Sequence, residues 1–203
     1  MITTTVTTHA IPVDDAIARY CDPPKYLEYC KECHNYGHRW SCPPFDFDAV
    51  SLLQRYATLH VVGVKVVYDE QTRTAMDTRE KADAYTTASV EAVRERLHPA
   101  LRALEQLFPD SMAFISGNCK VCPVCARDVG KPCCHPDLMR YSLEAFGFDL
   151  MALTQDVLGI TIVWEPGRLP AYYTLIGGLA TNSAVEGRLQ ATIEEGLAAV
   201  RQP

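Results

Sequence analysis

Nine cysteines in 203 residues constrain this chain more than any other feature, because eight of them fall in two groups. Cys30, Cys33 and Cys42 form the first; Cys119, Cys122, Cys125, Cys133 and Cys134 form the second; Cys21 stands apart. The number is odd, and the opening Met1-Ile-Thr-Thr-Thr-Val lacks the basic head and apolar core of a secretory signal. A disulfide framework is therefore a poor explanation, and reduced thiolates that hold a metal are the better one. That points to a cytoplasmic protein.

The second group begins Gly117-Asn-Cys119-Lys-Val-Cys122-Pro-Val-Cys125, a C-x2-C-x2-C run followed by Cys133 and Pro136. Three thiolates at this spacing wrap a tight loop around one centre, as in bacterial ferredoxin ligation, although there the fourth cysteine follows sooner. Structural zinc sites more often combine C-x2-C knuckles from separate segments, so the triple run favours an iron–sulfur cubane over zinc. Lys120, Arg127 and Lys131 lie among the ligands and suit the negative charge of an all-thiolate cluster. Adjacent side chains diverge, so Cys133, behind Pro132, is the expected fourth ligand and Cys134 the reserve.

The first group, Cys30-Lys-Glu-Cys33-His-Asn-Tyr36-Gly37-His-Arg-Trp40-Ser-Cys42-Pro43-Pro44, supplies three thiolates. A cubane held by three leaves one iron open, by analogy with the vacant position of catalytic metal sites. His34, His38 or Cys21 could close it, and zinc on three cysteines and one histidine fits these residues nearly as well. Tyr36 and Trp40 are expected to pack over the site and limit solvent.

Around these groups the patterning predicts one domain over 1–203, of α/β or α+β class, with a mixed sheet of about four strands and flanking helices. The near-continuous run Leu59–Tyr68 reads as a buried strand. A short helix precedes it within Phe45–Tyr56. A long helix starts at Asp77 or Thr78, with Val93, Leu97, Leu101, Leu104 and Phe108 on its core face and Pro99 kinking or splitting it. Met112–Ser116 reads as a second strand. Read as a parallel βαβ unit, these elements put the metal-binding loops 30–44 and 117–136 on one edge of the sheet, facing each other. Further on, helices are expected over Arg140–Phe146, Leu150–Leu158 and Ala184–Val200, and strands over Ile160–Trp164 and Ala171–Ile176. The Thr-rich first eight residues read as frayed, and Gly177-Gly178 as a turn before a helix.

At the cysteine motifs the chain resembles an uncharacterised prokaryotic family of cysteine-rich predicted metal-binding proteins, a domain of unknown function. The family pairs C-x-x-YG-x-x-W-x-CPP with a later C-x2-C-x2-C…PCR-x-P and an S-M-E-A-x-G-I-D stretch. The matches here are Cys33 to Pro44, Cys119 to Pro136, and Ser142-Leu-Glu-Ala-Phe-Gly-Phe-Asp149, with Cys134 standing where the family usually has arginine. The resemblance implies metal binding and names no reaction.

A net charge of −6 argues against a nucleic-acid surface, and no run of about 18 apolar residues predicts a membrane span. No hydrolase, zinc-protease or kinase signature is present, and the radical-SAM C-x3-C-x2-C spacing is absent. Together the motifs predict one or two 4Fe-4S clusters, with zinc as the alternative. The expected function is electron transfer or redox catalysis with a redox partner protein or a small-molecule substrate. A non-redox desulfidase or sulfur-transfer enzyme, or a zinc-stapled interaction module, are the other classes the residues allow.

Overall fold

The apolar run at Leu59–Tyr68 lies at the heart of the structure, a computed structural model that describes residues 2–185 and 187–200. Strand β2 (Thr58–Tyr68) is paired on both sides, by β1 (Ile2–Pro12) and by β4 (Tyr172–Thr181). Strand β3 (Ser111–Phe114) joins the far side of β4, giving the order β1-β2-β4-β3 with every neighbouring pair antiparallel. Because β2 is covered on both faces, its side chains alternate between two cores rather than between core and water.

Val62, Val64, Val66 and Tyr68 enter the first core. Helix α5 (Arg79–Leu107) closes it with Val93, Leu97, Leu101 and Leu104, and α7 (Arg188–Leu197) adds Leu189, Ile193 and Leu197. Leu59 and Val61 face the second core, with α1 (Val13–Tyr20), α6 (Leu150–Leu158) and the rings of Phe114, Phe146 and Phe148. The result is an α+β protein with helices on both sides of a four-stranded sheet.

The structure corrects several expectations. Helix α5 starts after the Thr78 cap, whose hydroxyl accepts from the Lys81 amide, and runs unbroken through Pro99. The Thr-rich opening is not frayed but forms an eleven-residue edge strand, since threonine suits a pleated, half-exposed surface. The sheet is antiparallel throughout rather than mixed. β2 and β3 do run in the same direction, yet β4 lies between them, so they are not a directly paired βαβ unit. Ile160–Trp164 forms no strand, and of Arg140–Phe146 only a 3₁₀ turn at Glu144–Phe146 is helical. The last helix is shorter than Ala184–Val200, and Glu186 of that range lies outside the described residues.

Gly177-Gly178 is no turn either: both residues lie inside β4. A Cβ on Gly177 would come within 2.8 Å of both Leu101 Cδ1 and the Phe114 carbonyl oxygen. Glycine is thus what lets α5 and β3 close on the strand.

Candidate metal centre

Cys30 sits in the last turn of α2 (Pro23–Lys31), a helix begun by two prolines and capped by Asp22, whose carboxylate accepts from the Lys25 amide. Beyond the helix the chain coils on itself through backbone bonds. The Cys33 amide donates to the Cys30 carbonyl at 3.0 Å, the Tyr36 amide to the Cys33 carbonyl at 3.0 Å, and the Cys42 amide to the Arg39 carbonyl at 3.1 Å. Gly37, at φ 72°, donates its amide to the Pro43 carbonyl at 2.8 Å and so closes the loop just before the cis bond between Pro43 and Pro44. The second cysteine segment leaves β3 as irregular chain, broken only by a 3₁₀ turn at Ala126–Val129 that ends on left-handed Gly130.

The two segments are bound to each other. The Ser41 hydroxyl accepts from the Cys119 amide at 3.0 Å, and the Trp40 indole donates to the Lys131 carbonyl at 3.0 Å. His38 Nδ1 lies 2.6 Å from Asp128 Oδ1. Arg127 reaches furthest: its guanidinium donates to the carbonyls of Arg39 at 2.9 Å, Cys42 at 2.7 Å and Pro44 at 2.5 Å, and lies over the Trp40 ring. A cation from the second loop therefore ties down the backbone of the first.

Cys30 and Cys42 both feel the charge of Cys33. Burial first, then the neighbouring Cys33, raises the Cys30 thiol; burial pushes Cys42 up to about 11, with Cys33 and Cys30 adding to it against the Ser41 hydroxyl. Cys119, Cys122, Cys125, Cys133 and Cys134 all line one small cavity, together with Trp40 and Ser41. Cys122 is raised by desolvation and then by the other four thiols of that ring. Thiols crowded in this way resist ionising together unless a cation shares the site, which is the donor chemistry that a metal centre uses. The thiol ring is tight, with about 20 Å³ of free space. Among the described residues no three Cys, His, Asp or Glu side chains converge closely enough for a single ion.

Cys21, His34 and His38 are the other candidates for the first group. Cys21 donates to the Phe146 carbonyl at 3.4 Å, and burial pushes its thiol up to about 11. His38 is engaged with Asp128, and His34 is exposed. Trp40 lines the cavity of the second group's cysteines.

The residue that sequence patterning missed is Glu144. It lines a groove with Cys30, Pro43, Pro44 and Phe45, and its charge is felt by both Cys30 and Cys42. Burial raises its carboxyl above the ordinary range, against hydrogen bonds from its own amide, the Ser142 hydroxyl and the Gly117 amide, and against the nearby Arg94 charge. Its position in the third matched motif, Ser142 to Asp149, was the available signal.

An α+β fold whose two cysteine segments are hydrogen-bonded together defines a cysteine-rich protein of the metal-binding kind. The chain belongs to the family described as predicted metal-binding protein (DUF2284), whose model matches residues 5–177. No curated protein and no solved structure matches it. No helix among the described residues is long and apolar enough to cross a membrane.

Proposed function

We propose that this chain is a cytoplasmic iron–sulfur protein that holds two 4Fe-4S cubanes and acts in electron transfer or redox catalysis. Cys119, Cys122, Cys125 and Cys133 would hold one; Cys30, Cys33 and Cys42 would hold the other and leave one iron open to a further ligand. The observation that carries this is the pairing of two separate thiol groups, each crowded, in loops tied by Ser41, Trp40 and Arg127. Two centres in loops joined in this way would exchange electrons with each other. When bound, such clusters supply one-electron chemistry, with potentials set by hydrogen bonds to sulfur and by exposure.

The chain's own residues provide that setting. Asn35 Nδ2 stands 3.6 Å from the Cys33 sulfur and Ser41 Oγ 3.8 Å from that of Cys42, so both can donate to thiolate. Phe45, Phe47 and Phe146 line the groove of Cys30 and pack ring against ring with Tyr141, an apolar wall on that side. A cubane would have to widen the thiol ring, whose free space is about 20 Å³, and the irregular chain around Val124, 70% exposed, allows it.

The test is a pair of serine variants purified without oxygen. Replacing Cys30, Cys33 and Cys42 is expected to remove about half of the iron and sulfide, leaving the spectrum of the other centre. Replacing Cys119, Cys122 and Cys125 is expected to give the complement. Loss of all iron from either variant with the fold intact would mean one shared centre, and iron retained in full by either would refute the ligand assignment.

A further inference from the structure

Residues of α2, of the chain over 43–49 and of the turn over 144–147 enclose the groove of Cys30, a cavity of about 440 Å³. Four prolines, three phenylalanines and Leu27 line it, and no lysine, arginine or histidine among the described residues does. That make-up and volume are those of a small-molecule site, which is mostly apolar and holds ~300–1,000 Å³. One turn of a docked peptide helix already occupies roughly 400–600 Å³, so the groove is too small to seat a helix.

Helix α2 gives a second, independent pointer. None of its nine residues is buried, and its Leu27 stands half-buried at the groove. A short helix takes most of its stability from tertiary packing of its apolar side. A molecule lying in the groove would supply that packing to the helix that carries Cys30.

From this lining we infer that the groove binds a neutral, apolar ring compound, seated against the Phe45 and Phe47 rings beside Cys30. The aromatic wall is built in advance. Phe45 and Phe47 stack at 4.9 Å between centroids, and Phe146 meets them edge-on at 5.9 and 6.2 Å. A flat ligand extends this pattern, since aromatic rings favour offset-stacked and edge-on neighbours. Charge sets the class. The lining offers an anion two carboxylates, Asp48 and Glu144, and no cation. Burying an organic anion without a counter-charge is costly, which excludes carboxylates, phosphate esters and nucleotides. Neither carboxylate is offered to a ligand cation. Asp48 caps α3 (Ala49–Leu53), accepting from the Val50 amide at 2.9 Å, the Ser51 amide at 3.2 Å and the Ser51 hydroxyl at 3.0 Å. Glu144 Oε2 is buried. Because Cys30 lines the same groove, the ligand lies at the first thiol group. Its role as a substrate of that centre rests on the iron–sulfur proposal, whereas its binding does not.

The test is calorimetric titration of the anaerobically purified chain with 2-acetylnaphthalene, metal content being measured on the same sample. Saturable binding is expected, with 2-naphthoate, an anion of nearly the same shape, weaker by about tenfold or more. Leu27→Glu, at a half-buried position of α2, is expected to weaken 2-acetylnaphthalene by about tenfold with the circular dichroism spectrum unchanged. Leu27→Ala, which removes apolar contact without adding charge, should weaken it by about threefold. Amide hydrogen exchange in α2 should slow when the ligand is bound. Absence of saturable binding to the native chain would overturn the inference, as would 2-naphthoate binding equally well or binding that neither substitution weakens. Each of these results can be told from failure of the iron–sulfur proposal, which the metal analysis reads separately.

Discussion

Removing the Arg127 guanidinium should loosen both cysteine segments at once. It donates to three first-loop carbonyls, those of Arg39, Cys42 and Pro44, and lies 4.9 Å from the Trp40 ring centroid. A hydrogen bond from a charged donor contributes about 1.5–3 kcal/mol net when well shielded. Arg127 is only half-buried, so the lower end applies, and bonds sharing one group are not additive. Arg127→Ala should then cost about 2–4 kcal/mol. For a domain of this size that corresponds to a fall in Tm of roughly 5–15 °C. The assay is thermal unfolding followed by circular dichroism under anaerobic conditions, with metal content measured on the same preparation. Both centres are expected to lose metal, since the bonds join one loop to the other. Arg127→Lys, which keeps the charge but cannot span three carbonyls, should recover less than half of the loss. An Arg127→Ala protein within about 0.5 kcal/mol of native stability, the noise level of surface substitutions, and fully loaded with metal would refute the reasoning.

Other perturbations probe the frame around the site. Gly147→Ala places a Cβ 2.6 Å from Pro23 Cα at a residue with φ +90°. Left-handed backbone costs an L-residue about 1–2 kcal/mol and overpacking about 1–3 kcal/mol more. Pro23 begins the helix that carries Cys30, so metal analysis should show the first centre depleted before the second. Buried His98 hydrogen-bonds the Ser116 carbonyl at 3.0 Å, and burial lowers its pKa to about 4. The unfolded chain, with a histidine pKa near 6.5, takes up that proton first, so the contribution is full above pH ~6.5 and is lost as pH falls towards ~4. The loss amounts to about 3 kcal/mol, and urea denaturation across that range should show it disappear in His98→Gln. Glu105 accepts from the Ala113 amide at 2.6 Å and pairs with Arg140, joining α5, β3 and the chain beyond the second cysteine group. Glu105→Ala should leave that amide and the Arg140 charge unpartnered and destabilise by about 3–5 kcal/mol, measured by the denaturation midpoint.

What the sequence made legible follows from where its signals are local. β2 shows itself because both of its faces are buried, so nearly every residue from Leu59 to Tyr68 is apolar. β1 does not, because an edge strand built on threonine carries no apolar alternation, and its partner comes from residues 58–68. The direction of β2 and β3 follows from the intervening helix, but β4, inserted between them from sixty residues downstream, does not. Arg140–Phe146 has helical composition, yet its backbone is claimed elsewhere: Tyr141 accepts from the Ile115 amide, and Arg140 donates to the carbonyls of Asp137 and Met139. The cysteine groups were visible through spacing alone. Glu144 was not, because a single carboxylate becomes notable only when folding buries it beside thiols and leaves one oxygen unpaired.

The central claim, two iron–sulfur centres in facing cysteine loops, is tested most directly by metal analysis. Iron, zinc and acid-labile sulfide should be counted per chain on protein purified without oxygen from iron-supplied cells. About eight iron and eight sulfide are expected, one cubane for each thiol group. Stoichiometric zinc without sulfide would contradict the account and leave the cysteines as a zinc staple.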